Sequence, residues 1–200
     1  MRRETKSARE FAEAALRFNA ERGHPFHAAT SEVLRGSVLV AEEHDESGLS
    51  QIRDGIARSS ATGAGIFQPS FLALLAAGHG HLGECPAGLA ALAEAESWIS
   101  RSGERWPEAE IHRLKGELML STKGADAGAE RCFRTSIEVA RGQQARSSEL
   151  RAATNLARLW CDQGKRAEAR DLLAPVYGWF TEGFDTADLK DAEALLDELG

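Results

Sequence analysis

Leu156-Ala157-Arg158-Leu159-Trp160, then the turn Asp162-Gln163-Gly164-Lys165-Arg166, then Ala169-Arg170-Asp171-Leu172-Leu173, form the centre of the stretch Leu150–Phe184. Large apolar residues at Leu156, Trp160 and Leu173 alternate with small ones at Ala153, Ala157 and Ala169. Two helical patterns flank one glycine turn, and the alanines let two antiparallel helices cross at short range. The spacing predicts a helical hairpin, the unit of a repeat. The stretch contains no nucleophile beside a base and no phosphate loop. It defines architecture before chemistry.

Working outward, the unit recurs. Gly23, Gly63 and Gly103 are 40 residues apart and Gly183 lies 80 further on, with Gly142 as the intervening mark. Each follows a helical pattern and precedes the next, where a residue free to adopt positive φ ends a helix. A second series, Gly36, Ala76, Gly116 and Ala157, is spaced by 40, 40 and 41. Gly48, Gly88, Ala129 and Ala169 follow its members by 12 or 13 residues, on the second helix of each hairpin. Gly83, Gly124 and Gly164 precede the last three of these by five, so the one-residue insertion in the third unit lies before Gly124. Pro69 and Pro107 sit where a first helical turn tolerates a missing donor, and Glu108 and Glu110 suit a helix N-terminus.

The chain is therefore expected to be an all-α solenoid of antiparallel hairpins, a right-handed superhelix with a period of about 40 residues, forming one repeat domain over 1–200. Its hairpins are placed at 29–62, 69–102, 109–142 and 150–182. Residues 7–22 read as a second helix whose first is missing. Residues 186–199, with Leu189, Ala192, Leu195, Leu196 and Leu199, read as an amphipathic closing cap.

Composition agrees. The chain is rich in Ala, Leu, Glu and Arg, with five prolines and one tyrosine among 200 residues, a bias towards helix. A formal net charge of −7 disfavours a nucleic-acid partner, and no apolar run reaches membrane-spanning length, so neither nucleic acid nor membrane is expected as a partner. The N-terminus lacks a signal-peptide core, which predicts a cytoplasmic chain. Cys85, Cys132 and Cys161 are odd in number and far apart, which fits reduced thiols.

Once these residues are aligned, the chain resembles the tetratricopeptide repeat, whose two-helix unit carries small residues at the crossing. The fourth hairpin matches through Leu156-Ala157, Trp160, Gly164, Ala169 and Leu173. The second matches through Leu72, Leu75-Ala76, Gly83, Gly88, Leu92 and Ala95. The first and third depart, with Arg35 and Lys115 where Leu75 and Leu156 stand. Residues 104–199 further resemble the C-terminal repeat tail of large bacterial signalling proteins that combine an ATPase with a nucleotide cyclase domain. The run Leu173-Ala174-Pro175-Val176-Tyr177-Gly178-Trp179-Phe180-Thr181-Glu182-Gly183-Phe184-Asp185-Thr186 carries that likeness most specifically. What the resemblance implies is a regulatory or scaffolding tail without catalytic residues or cofactor, encoded alone or as part of a longer enzyme. An effector-sensing arm of a transcription regulator is the alternative.

Among candidate sites, His79-Gly80-His81 with Cys85 is the one grouping of metal-ligand types. His79 occupies the register position of Leu39, Met119 and Trp160, so a packing role is expected and no metal site. Tyr177, Trp179, Phe180 and Phe184 are expected to fill the junction between the last hairpin and the closing helix. Glu42-Glu43-His44-Asp45-Glu46 reads as a solvated loop. In stacked hairpins the first helices line the concave face. There Arg113, Glu117, Arg151, Asn155 and Arg158 form a candidate groove, an arginine-bearing floor for the carboxylates of a protein or peptide partner, the alternative being that Glu117 pairs with Arg113 or Arg158 across adjacent helices. It lacks the Lys/Asn clamp of chaperone-binding repeats. At the other end Ala8, Phe11, Ala12, Ala15 and Phe18 recur at helical spacing, and Phe11, Ala15 and Phe18 are a candidate association face for an upstream domain or a second copy.

Overall fold

Helix-favouring composition, punctuated by glycines, gives ten α-helices and no strand among the described residues of a computed structural model. That model describes the backbone of residues 2–121 and 124–200, and side chains from Arg9 onward except those of Ala20, Thr122 and Lys123. The helices are α1 (Arg2–Glu21), α2 (Pro25–Glu43), α3 (Ser47–Ala61), α4 (Gln68–His81) and α5 (Cys85–Ser102), followed by α6 (Glu108–Leu120), α7 (Asp126–Gly142), α8 (Arg146–Asp162), α9 (Arg166–Tyr177) and α10 (Ala187–Leu199). No helix among the described residues is long and apolar enough to cross a membrane. The chain, read from sequence as one repeat domain, groups into two compact units, Met1–Arg105 and Trp106–Gly200.

Punctuation is local chemistry. Gly23, Gly63, Gly83, Gly103, Gly124, Gly164 and Gly183 all have positive φ, at the predicted turns. Gly142 does not. It is the last residue of α7, and the left-handed position passes to Gln144, φ 56°. The backbone closes around it, with Gln144 N–H donating to Arg141 O at 3.1 Å and Ala145 N–H to Ala140 O at 2.9 Å. The repeat mark thus falls two residues later than the glycine suggests. The insertion before Gly124 falls in a turn whose Thr122 and Lys123 lie outside the described residues.

In the first unit α2 packs on α3 and α4 on α5, while α1 lies against α2. Gly36, Gly48, Ala76 and Gly88 are all buried, as the small-residue series requires. Around them Val33, Val40, Ile52 and Leu92 are fully buried. Val33 packs on Gly55 of α3. The 7–22 segment is not left bare on its alanine side. Ala12 is only 6% exposed, and Asn19 Nδ2 donates to Ser31 Oγ on α2 at 3.3 Å. The side chain of Ala8 lies outside the described residues.

The second unit packs α6 on α7, α8 on α9 and α10 across α8 and α9. Its core runs through Phe133, Leu150, Leu156 and Leu173 to Leu189 and Leu195. Gly116 is the counterpart of Ala76 and Ala157, and the space a Cβ would need there is taken by the Phe133 ring, 2.5 Å away. Burying such side chains contributes roughly 1.5–3 kcal/mol each. α10 closes the open side with Leu189, Ala192, Leu195 and Leu199 buried. Because these residues already fill the junction, the aromatic group after α9 departs from expectation. Trp179 is 56% and Phe184 44% exposed, and only Tyr177 and Phe180 are half-buried.

Candidate functional site

Glu110, Arg113 and Glu117 recur on one face of α6 at spacings of three and four, and Arg151, Asn155 and Arg158 do so on α8. Because α6, α8 and α10 pack side by side, the two rows face each other, with Asp188 and Asp191 of α10 beyond. All five groove residues expected from sequence converge here. Arg113, Glu117, Arg151, Asn155 and Arg158 line one cleft of about 350 Å3 together with Thr154, Asp188 and Asp191.

The arginines do not form an open cationic floor. Arg113, whose side chain is 12% exposed, donates to Glu110 from Nε at 3.0 Å and from Nη2 at 2.8 Å, and to Glu117 from Nη1. Burial by itself lowers the Arg113 pKa, but the hydrogen bonds and charges of Glu110 and then Glu117 outweigh it and raise the value. Asn155 Nδ2 donates to Glu117 across to α6 at 2.6 Å. Arg151 Nη2 lies 3.4 Å from Glu110, and Arg158 Nη2 lies 2.6 Å from Asp191. The result is a ladder stitching α6 to α8 and α8 to α10. Glu110, Asp188 and Asp191 are the partners that sequence reasoning left out. Glu110 was legible three residues before Arg113, whereas the two aspartates required knowing where the closing helix docks.

A second cleft of about 490 Å3 adjoins the first through shared Glu117, Asn155 and Arg158. Its other walls are Leu120, Asp126, Leu159, Asp162 and Gln163. Leu120 is 40% exposed, and neither Asp126 nor Asp162 makes an ion pair among the described residues.

Elsewhere polar side chains serve structure. His79, 3% exposed, accepts from Arg53 Nη2 at Nε2 (3.2 Å) and donates from Nδ1 to Glu84 Oε2 (2.6 Å), a tautomer assigned from these partners. That arrangement ties α3 to α4 and leaves neither ring nitrogen for a metal; no metal-binding group of His, Cys, Asp and Glu occurs among the described residues. Glu149, 3% exposed, is gripped by Arg141 at 2.7 Å and Arg146 at 2.8 Å, a clamp over the α7–α8 turn. At the N-terminal end Phe11 is 76% and Phe18 52% exposed, Ala15 is half-buried, and the Arg22 guanidinium lies 4.4 Å from the Phe18 ring centroid.

The repeating hairpins define a tetratricopeptide-like helical repeat fold, and solved structures bear this out. BtubC (BKLC) from P. vanneervenii superposes with a TM-score of 0.73 at 13% identity, over 98% of this chain and 89% of that one. Kinesin light chain nearly identical TPR-like repeats from Podosopora anserina superpose in two crystal structures. A point variant gives a TM-score of 0.59 at 15% identity over 87% of this chain and 85% of that one; the other gives 0.56 at 14% over 97% and 88%. No family model and no curated protein matches the sequence.

Proposed function

We propose that the chain is a non-catalytic protein–protein interaction module whose working surface is the polar groove on α6, α8 and α10. The observation that carries this reading is the convergence of Arg113, Glu117, Arg151, Asn155 and Arg158 on one open cleft, flanked by a second one with an exposed leucine. Polar side chains on rigid helices around a concave surface are what a peptide needs for oriented hydrogen bonding. On the likeness of residues 104–199, the module serves as the regulatory tail of a bacterial nucleotide-signalling ATPase or cyclase, in the cytoplasm. It needs no cofactor in this role. Selection of displayed random peptides against the full chain tests the surface: peptides enriched by the protein and lost on Asn155→Ala with Glu117→Ala support the groove. Absence of enrichment, or enrichment indifferent to those substitutions, overturns it. Reading the DNA upstream for a phosphate loop or cyclase carboxylates tests the tail.

A further inference from the structure

We infer that the groove of the second unit takes an extended basic peptide, with a lysine or arginine side chain seated in the Leu120–Leu159 cleft and its cationic head on Asp126 and Asp162. The inference rests on the groove reading and reverses the polarity expected from sequence. Across the two adjoining clefts the described walls carry five carboxylates, Glu117, Asp126, Asp162, Asp188 and Asp191, against three guanidiniums. Each guanidinium is already engaged: Arg113 by Glu110 and Glu117, Arg151 by Glu110, Arg158 by Asp191. An acidic peptide would have to break these pairs and would then face the remaining carboxylates, whereas like charges brought together raise the cost of the wrong partner. A basic one meets Asp126 and Asp162, neither of which has an ion pair to displace among the described residues.

The cleft also fits the stem of such a side chain. Leu120, 40% exposed, and Leu159 supply an apolar wall, while the carboxylates stand at its polar edge. Lysine and arginine lay their methylenes along apolar surface and keep the charge at a polar margin. Asp162 is the last residue of α8, where the helix dipole already favours a cation and disfavours a carboxylate. A bound ammonium or guanidinium would relieve that unfavourable placement. At about 490 Å3 the cleft lies within the range of pockets that hold a ligand group.

The experiment uses the full chain and three labelled peptides of equal length, alternating serine with lysine, glutamate or asparagine, followed by fluorescence anisotropy at low and physiological salt. The lysine peptide should bind in preference to the other two. Asp126→Asn with Asp162→Asn should weaken it about tenfold, whereas Asp54→Asn with Glu94→Gln, which removes equal charge from the first unit, should leave it within about twofold. Melting curves of both double variants check that the fold is kept. Equal loss from the two double variants would mean general attraction to an acidic protein and would overturn the inference, as would no binding of the lysine peptide. Preferential binding of the glutamate peptide, lost on charge reversal of Arg151 and Arg158, would also overturn it while leaving the interaction-module reading intact.

Discussion

Gly36 of α2 and Gly48 of α3 cross so closely that a Cβ on either would lie 2.6 Å from the carbonyl oxygen of the other. Backbone cannot rotate aside as a flexible side chain can. Gly36→Ala should therefore push the two helices apart and cost about 1–3 kcal/mol of overpacking, more than the roughly 1 kcal/mol that alanine gains in helix propensity. Urea denaturation should show a net loss of up to about 2 kcal/mol. A more stable variant would mean that the pair tolerates a wider crossing, as Ala76 and Ala157 do at the same register.

Gln144 offers the opposite change. Its φ of 56° is a left-handed conformation that costs an L-residue about 1–2 kcal/mol, and glycine at the other repeat marks avoids that cost. Gln144→Gly should be neutral to stabilising by up to about 1 kcal/mol, after allowing for the greater freedom of glycine in the unfolded chain. A loss of stability on thermal unfolding would count against strain at this turn.

Glu110 links acid stability to the groove. Burial pushes its carboxyl pKa up, but the Arg113 hydrogen bonds and the charges of Arg113 and Arg151 outweigh this and hold it below the ordinary carboxylate range. A depressed folded value means that the stabilisation is present above the unfolded pKa and disappears as pH falls through the folded one. Glu110→Gln should lower stability at pH 7 by about 1–3 kcal/mol, and the gap to the wild type should narrow as pH falls through the depressed folded value. Chemical denaturation at pH 7, 5 and 3 measures this; a gap independent of pH would assign the effect to packing alone.

Phe11 and Phe18 present a different kind of surface, large rings on α1 that are 76% and 52% exposed. Exchanging both for serine should change the melting temperature little, since neither ring is in the core. If the stripe covers a second copy of the chain, sedimentation at about 100 μM should change from dimer to monomer with that exchange, burial of apolar area being worth about 25 cal/mol per Å2. A wild type already monomeric at that concentration would remove self-association.

What the amino-acid sequence determined by itself is what local chemistry dictates. Helix propensity, the turn glycines and the paired small residues are short-range or periodic properties, so the helices and the crossing at Gly36–Gly48 could be placed from spacing. The convergence of Arg113, Glu117, Arg151, Asn155 and Arg158 followed from the same register. Tertiary structure alone decided which partners Arg151 and Arg158 find on α10, because Asp188 and Asp191 reach them only through the docking of that helix on α8. It also set Trp179 and Phe184 outside, since the leucines of α10 had filled the junction, and passed the left-handed turn from Gly142 to Gln144. These outcomes depend on which neighbour occupies a space in the folded chain, and no residue carries that information in its own identity.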